Sequence, residues 1–118
     1  AEDEDGIRET LTRTLSAAGY TVLAAASGAE ALDLADRHVG AIQLLLSDVM
    51  MPGMLGDELA AGLLRRRPDT TVLFMSGHVG DLIDRYGLLD PALTVLSKPF
   101  TKAQVLLAIR AALGAPRR

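Results

Sequence analysis

Short apolar runs alternate with amphipathic stretches along the chain, which predicts strands and helices in turn. Four runs have strand length: Thr21–Ala25, Ile42–Ser47, Thr71–Met75 and Leu93–Ser97. They are largely continuous rather than alternating, as is typical of strands buried on both faces of a parallel sheet. The pattern therefore predicts a doubly wound α/β domain, with right-handed crossovers and helices on both sides of the sheet.

Helices are predicted between these runs from apolar spacing and from start and stop signals. Capping boxes begin two of them, at Ser27-Gly28-Ala29-Glu30 and at Thr101-Lys102-Ala103-Gln104. The first predicted helix is Gly6–Ala18, with Asp5 as N-cap and Gly19 as stop, and the second begins at Ser27 and ends near Val39-Gly40. The third is Gly56–Arg67, stopped by Pro68, and the fourth is a short helix, Asp81–Tyr86. The last helix has Val105, Leu106, Ile109 and Leu113 on its core face.

The order of elements predicts one more strand than the sequence contains. The chain opens on the acidic cluster Glu2-Asp3-Glu4-Asp5, with no strand before it. An open α/β sheet normally places its first strand in the middle, directly before such a cluster. We therefore expect residues 1–118 to be one domain that lacks its N-terminal strand. If nothing else supplies that strand, its neighbours would expose unpaired backbone groups, which predicts poor stability.

Polar side chains stand where each predicted strand ends. Asp48 follows one strand and opens into a Pro/Gly turn, Ser76 ends the next, and Lys98 follows the last. The carboxyl ends of parallel strands line one crevice, so these groups should meet there with the N-terminal acids. Carboxylates that share a crevice favour a hard cation such as Mg²⁺, and a carboxylate also acts as a nucleophile toward phosphorus. The pattern indicates a divalent-metal and phosphoryl site.

Four segments at these positions resemble the receiver domain of two-component response regulators. They are Glu2-Asp3-Glu4, Ser47-Asp48-Val49-Met50-Met51-Pro52-Gly53, Phe74-Met75-Ser76-Gly77 and Leu96-Ser97-Lys98-Pro99-Phe100. The resemblance covers the chain apart from the first strand. It implies a flavodoxin-like, five-stranded sheet in the order 2-1-3-4-5.

The resemblance also implies a role for each site residue. Asp48 would accept phosphate from the phosphohistidine of a sensor histidine kinase or of a histidine phosphotransfer domain. Glu2, Asp3, Asp48 and the backbone carbonyl of Met50 would bind Mg²⁺, or Mn²⁺ in its place. Ser76 would turn toward the phosphate and Lys98 would pair with it, beside a cis Lys98–Pro99 bond. A receiver–receiver dimer is a further expectation.

Two positions depart from the family pattern. Receivers often carry Tyr or Phe three residues before the lysine, and this chain has Val95, which puts coupling through a rotating aromatic ring in doubt. The usual Met-Asp-Gly after the Pro-Gly turn is Met54-Leu55-Gly56, which loses a polar turn residue.

Composition narrows the class of protein. Hydrophobic residues make up 49% and charged residues 23% of 118 residues, as in an ordinary globular domain. There are no cysteines, so disulfides, thiolate metal sites and thiol catalysis are excluded. The net charge of -3 gives no basic footprint for nucleic acid. The apolar runs are too short for a membrane span, and no signal-peptide pattern opens the chain, so we expect a cytoplasmic protein.

Individually, these polar residues have ordinary explanations. A lone Asp after a strand is more often a turn residue, and an acidic N-terminus is more often a solvated helix cap. The conjunction of four such features reverses that preference. His78 follows Ser76 by two residues and is best explained as a solvated loop histidine. A sharper hypothesis is that Met50 and His78 flank the path of the hydrolytic water; alanine variants with unchanged phosphate lifetimes would discard it.

Three functions are compatible with these sequence features. The first is a phosphorylatable signalling module that is not a multiple-turnover enzyme. The second is a phosphohydrolase with Asp48 as nucleophile; such enzymes commonly have a second acid two residues later, where this chain has Met50. The third is a phosphate-independent interaction domain of the same fold, which would need a damaged site.

Overall fold

The computed structural model describes residues 1–77 and 95–114. Within these ranges it contains four helices and three strands. The helices are α1 (Asp5–Ala17), α2 (Gly28–Arg37), α3 (Gly56–Arg66) and α4 (Lys102–Gly114), and the strands are β1 (Leu44–Asp48), β2 (Thr71–Ser76) and β3 (Val95–Ser97). Where the structure describes both, predicted and observed boundaries agree to within three residues, as expected for frayed ends.

The strands form one parallel sheet in the order β1-β2-β3. Asp48 at the end of β1 lies opposite Met75, and the following residue Ser76 lies opposite Ser97 of β3. All three carboxyl ends therefore reach the same edge of the sheet. This confirms the α/β class and the parallel sheet, and it brings together the segments that carry Asp48, Ser76 and Lys98.

Helices cover both faces of the sheet, as the apolar strand runs predict. One buried cluster joins α2 and α3 to the first face through Ala35, Leu45, Val49, Met51, Leu59, Ala60, Leu63 and Phe74. The other joins α1 and α4 to the opposite face through Leu11, Leu15, Leu73, Met75, Val105 and Ile109. Successive residues of β2 point to opposite clusters, as the pleat of a strand requires.

The helix signals are largely confirmed at atomic level. Ser27 Oγ accepts a hydrogen bond from the Glu30 N–H at 3.1 Å, and Thr101 Oγ1 accepts one from the Gln104 N–H at 3.1 Å. Gly19 follows α1 with a φ of 97°, a conformation that favours glycine at a helix end. The N-cap prediction at Asp5 was wrong: Glu4 holds that position without a side-chain cap, and Asp5 is already helical and pairs with Arg8.

The prediction of a strand over Thr21–Ala25 was also wrong, because this segment has no strand assignment. A cavity of about 460 Å³ lies between it and β1, lined largely by apolar side chains of both and of the flanking helices. A strand requires a neighbour for its backbone hydrogen bonds. Among the described residues only the tip of this segment has one, where the Glu2 N–H donates to Ala25 O at 3.0 Å.

Some predictions fall on residues outside the described ranges. These are the Asp81–Tyr86 helix, residues 93–94 of the last predicted strand, and His78.

Arg67, directly after α3, ties that helix to the end of α2. Its guanidinium donates to the carbonyl oxygens of Ala35 at 3.0 Å, His38 at 2.8 Å and Gly40 at 2.5 Å. One carbonyl in the last turn of α2 and two carbonyls just after that helix are thereby satisfied by a side chain from another part of the chain.

Candidate functional site

Asp48 is a buried carboxylate held at the end of β1. The residue is 7% exposed, and its Oδ1 accepts a hydrogen bond from the Met50 N–H at 3.2 Å. The next residue, Val49, donates its N–H to Met75 O at 3.0 Å. The strand ladder thus continues past Asp48 and fixes the point from which the following loop departs.

Lys98 bridges two acids from distant parts of the chain. Its Nζ lies 2.8 Å from Asp48 Oδ2 and 2.8 Å from Glu2 Oε1. Its backbone N–H donates to Ser76 O at 2.8 Å, which anchors it beside the end of β2. The Lys98–Pro99 bond is cis, as the family resemblance implied.

Three carboxylates converge at this edge. Oxygen atoms of Glu2, Asp3 and Asp48 lie within 4.8 Å of one another. Glu2 is only 2% exposed, and its Oε2 is buried without a hydrogen-bond partner within the described residues. A buried, unpartnered carboxylate oxygen is costly, and a hard cation is a ligand that would satisfy it. The residues present therefore fit a divalent cation such as Mg²⁺, with Asp3 on the exposed side.

The pKa values of the site reflect this crowding. Burial raises the pKa of Glu2 from 4.5 to about 7; the hydrogen bond from Lys98 opposes the rise and the neighbouring Asp48 adds to it. Burial by itself lowers the pKa of Lys98, but its hydrogen bonds to Asp48 and Glu2 outweigh that effect and raise it above 10.5. Lys98 thus stays charged throughout the neutral range.

Ser76 and Met50 complete the surroundings. Ser76 is 2% exposed at the end of β2, one residue beyond the partner of Asp48 in the ladder. Met50 is 46% exposed on the loop that follows Asp48. The structure therefore brings Glu2, Asp3, Asp48, Ser76 and Lys98 to one edge, with Met50 beside them.

The sequence patterns did not predict the contact between Lys98 and Glu2. They also did not predict the close packing of other residues against the backbone at two glycines. A Cβ on Gly56 would collide with the carbonyl oxygen of Asp48, so the start of α3 rests directly on the backbone of β1. Gly28 similarly touches Met54. Only the Gly56 that ends Met54-Leu55-Gly56 gave any signal in the sequence; Gly28 looked like an ordinary first-turn residue of a capping box.

Comparison with known proteins gives the family. The family model described as "Response regulator receiver domain" matches residues 1–110. The chain belongs to the response regulator receiver family. This receiver domain is 38% identical over 109 residues to the sensor kinase CckA of Brucella abortus, covering 92% of the chain and 12% of CckA. It is 34% identical over 100 residues to the response regulator receiver protein CpdR of the same organism, covering 85% of the chain and 82% of CpdR.

Solved structures agree with this assignment. The crystal structure of the receiver domain from the hybrid histidine kinase CckA superposes with a TM-score of 0.73 at 35% identity, covering 95% of this chain and 94% of that one. The flavodoxin-like receiver fold of such neighbours is thus shown for this chain. The chain spans 12% of CckA and 82% of CpdR. Proteins of different length and composition therefore share this domain. None of the helices in residues 1–77 and 95–114 is long and apolar enough to cross a membrane.

Proposed function

We propose that this receiver domain is a phosphoacceptor, in which Asp48 takes a phosphoryl group from the phosphohistidine of a sensor histidine kinase or histidine phosphotransfer domain. The observation that carries the proposal is the contact of Asp48 with Lys98, which also holds Glu2, at 2.8 Å each. A solvated turn residue would have no need of a shared, mostly buried ammonium. The domain is a signalling module rather than a multiple-turnover enzyme.

Each residue of the site has a part in the transfer. A carboxylate oxygen of Asp48 attacks phosphorus, the P–N bond breaks, and the bonding electrons return to the imidazole of the donor. Lys98 neutralises charge on the phosphoryl oxygens, and Ser76 donates a hydrogen bond to one of them. Mg²⁺ or Mn²⁺, held by Glu2, Asp3, Asp48 and the Met50 carbonyl, would supply further charge neutralisation when bound.

The consequence of phosphorylation follows from charge. The phosphate adds roughly −1.5 to −2 charge at neutral pH. Lys98 and Ser76 are pulled toward it, and both are joined to the ends of β2 and β3. We propose that this shifts the domain between inactive and active states without a rotating aromatic ring, since Val95 occupies that position. A second receiver domain is one candidate partner for the altered surface.

Incubation with acetyl phosphate and Mg²⁺, followed by intact-mass measurement, tests the proposal. We expect one phosphoryl adduct on the native chain, no adduct on Asp48→Asn, and an undiminished adduct on the control Asp33→Asn, whose carboxylate is exposed in α2. Absence of the adduct from the native chain would support a phosphate-independent interaction domain. Release of free phosphate over many turnovers would support a phosphohydrolase, which Met50 disfavours because it offers no acid to the leaving group.

We further propose that an apolar strand fills the cavity between Thr21–Ala25 and β1. Residues 1 and 2 already pair with both sides of it: Asp48 N–H donates to Ala1 O at 2.9 Å and Glu2 N–H donates to Ala25 O at 3.0 Å. A strand continuing this pairing would lie between Thr21–Ala25 and β1 and give Thr21–Ala25 the neighbour that a strand requires. Together with β2 and β3, the sheet would then have five strands in the order 2-1-3-4-5. It would also complete the domain of residues 1–118. We propose that this domain is cytoplasmic.

A further inference from the structure

The first turn of α2 and the residues just before it contact both segments that carry the acidic site. On one side, Ala25 O accepts the Glu2 N–H at 3.0 Å, which fixes the acidic N-terminal segment. The capping box follows at once and holds the turn rigid, with Ser27 Oγ bonded to the Glu30 N–H and Glu30 Oε1 bonded to the Ala26 N–H at 3.2 Å. This turn is thus a fixed point beside Glu2.

On its other side, the same turn meets the loop that follows Asp48. Gly28 is buried, and a Cβ built on it would lie 2.7 Å from Met54 Sδ and 2.9 Å from Met54 Cβ and Cγ. Real Cβ atoms do not approach other atoms so closely. Met54 therefore packs directly against the backbone of Gly28, and any other residue type there requires Met54 to shift, including its Cβ.

The loop that carries Met54 is short and internally bonded, so a shift at Met54 would reach the site. Met54 N–H donates to Pro52 O at 3.0 Å, Gly53 has a φ of 82°, and Gly56 N–H donates to Val49 O at 2.8 Å. Met50 lies within this closed loop, two residues after Asp48, and donates its N–H to the Asp48 carboxylate. Displacement of Met54 would move the Met50 backbone relative to Asp48 and Glu2.

We propose that the Gly28–Met54 contact is a positioning device for the divalent-cation site: it sets the spacing between the Glu2–Asp3 segment and the Asp48–Met50 segment. Neither residue is among the proposed ligands of the cation or of the phosphate. The inference rests on the proposed function, because it concerns the cation affinity of that site. Supporting contacts around metal ligands commonly change affinity by 10–100-fold when they are altered.

The experiment measures Mg²⁺ binding by titration calorimetry on the full chain, with urea unfolding in metal-free buffer recorded in parallel. We expect Gly28→Ala to weaken Mg²⁺ binding about tenfold. The matched control is Gly6→Ala, also in the first turn of a helix, where an added Cβ meets nothing within 4 Å. It should bind Mg²⁺ as the native chain does.

Two further variants keep the test decisive if Gly28→Ala fails to fold. Met54→Ala introduces no clash and should weaken Mg²⁺ binding by about threefold through loss of the tether, which is less than the clash causes. In the double variant Gly28→Ala, Met54→Gly, all three Met54 atoms that the added Cβ would meet, including Cβ at 2.9 Å, are gone. The Gly28 substitution should therefore cost less affinity in the Met54→Gly background than in the native chain.

The two proposals fail in different ways. A native chain that binds no Mg²⁺ would overturn the proposed function itself. A native chain that binds Mg²⁺, with affinities for Gly28→Ala and Met54→Ala within twofold of the Gly6→Ala control, would overturn only the positioning role. Equal losses from Gly28→Ala in both backgrounds would also overturn it, because the effect would then not pass through Met54.

Discussion

Lys98 is the residue on which the electrostatics of the site depend. One ammonium, 14% exposed, neutralises two carboxylates that are nearly buried. Taking a charge out of water is costly unless it is paired, and here two negative charges share one positive charge. Within residues 1–77 and 95–114, this arrangement gives Glu2 Oε2 no hydrogen-bond partner, so binding of a further cation there would be favourable.

Replacing Lys98 by Met should expose this dependence. Without Mg²⁺ at pH 8, we expect Lys98→Met to lower the free energy of unfolding by about 2 kcal/mol, because two buried carboxylates lose their partner. Mg²⁺ should restore more stability to this variant than to the native chain. Urea unfolding with and without Mg²⁺ measures both effects. The control Lys102→Met, at an exposed position of α4, should change stability by less than about 0.5 kcal/mol. Equal behaviour of the two variants would contradict this account.

The raised pKa of Glu2 predicts a pH dependence of stability. The folded state keeps a proton on Glu2 up to about pH 7, whereas the unfolded chain releases it near 4.5. The folded state therefore binds more protons in this window, and the free energy of unfolding falls as pH rises through it. The size should be about 2 kcal/mol, because the raised pKa of Glu2 corresponds to roughly 1.4 kcal/mol per unit and solvent screening reduces the total.

Chemical unfolding in EDTA from pH 4.5 to 8 measures this slope. Glu2→Gln should flatten it, and Glu4→Gln, which alters an exposed acid, should leave it unchanged. A Glu2→Gln chain with the native pH profile would show that Glu2 titrates normally.

Much at the residue scale was predictable from the sequence. Asp48, Ser76 and Lys98 were expected to converge because each follows a strand of one parallel sheet. The Lys98–Glu2 pair was not predicted, because strand-end rules give the edge of the sheet on which a residue lies and not the direction of its side chain. The Gly28–Met54 contact was missed because close backbone approach depends on how two elements pack.

At the scale of elements, local signals determined the helices better than the strands. Capping boxes and apolar spacing are complete within a few residues, so α2 and α4 begin where the sequence predicts. A strand is completed only by its neighbour, which explains why Thr21–Ala25 was wrongly predicted from its apolar composition alone. The Arg67 contacts with the end of α2 likewise join two elements and have no local signature.

Arg67 provides a test at this scale. Arg67→Ala should lower the free energy of unfolding by about 2 kcal/mol, because three carbonyl groups lose a charged donor. Arg65→Ala, in the exposed last turn of α3, is the matched control and should change it by less than about 0.5 kcal/mol. Urea denaturation distinguishes them. If both variants unfold like the native chain, water replaces the arginine at no cost.

At the scale of the whole molecule, the α/β class and the parallel sheet followed from alternation of apolar runs and helices. Two apolar clusters on opposite faces confirm that the sheet is covered on both sides. The cavity beside β1 is the main departure from a closed fold, and it exposes apolar side chains to water. Filling it with a strand should therefore stabilise the domain.

Appending five apolar, β-branched residues before Ala1 tests this. Each buried Val or Ile contributes about 1.5–3 kcal/mol, against an ordering cost of about 1–2 kcal/mol per residue. We expect a net gain in the free energy of unfolding of about 2 kcal/mol or more. A Ser/Asn extension of equal length serves as control in the same urea measurement. Equal stability of the two extended chains would show that the cavity does not accept a strand.

The Lys98 contacts also join the two ends of the chain, since they span 96 residues to Glu2 and 50 to Asp48. Bringing such distant partners together costs loop-closure entropy, so they stay together only while the chain is folded. A partly unfolded receiver domain therefore lacks the assembled acidic cluster. A destabilising substitution anywhere in the domain should thus reduce the fraction of molecules that carry this cluster.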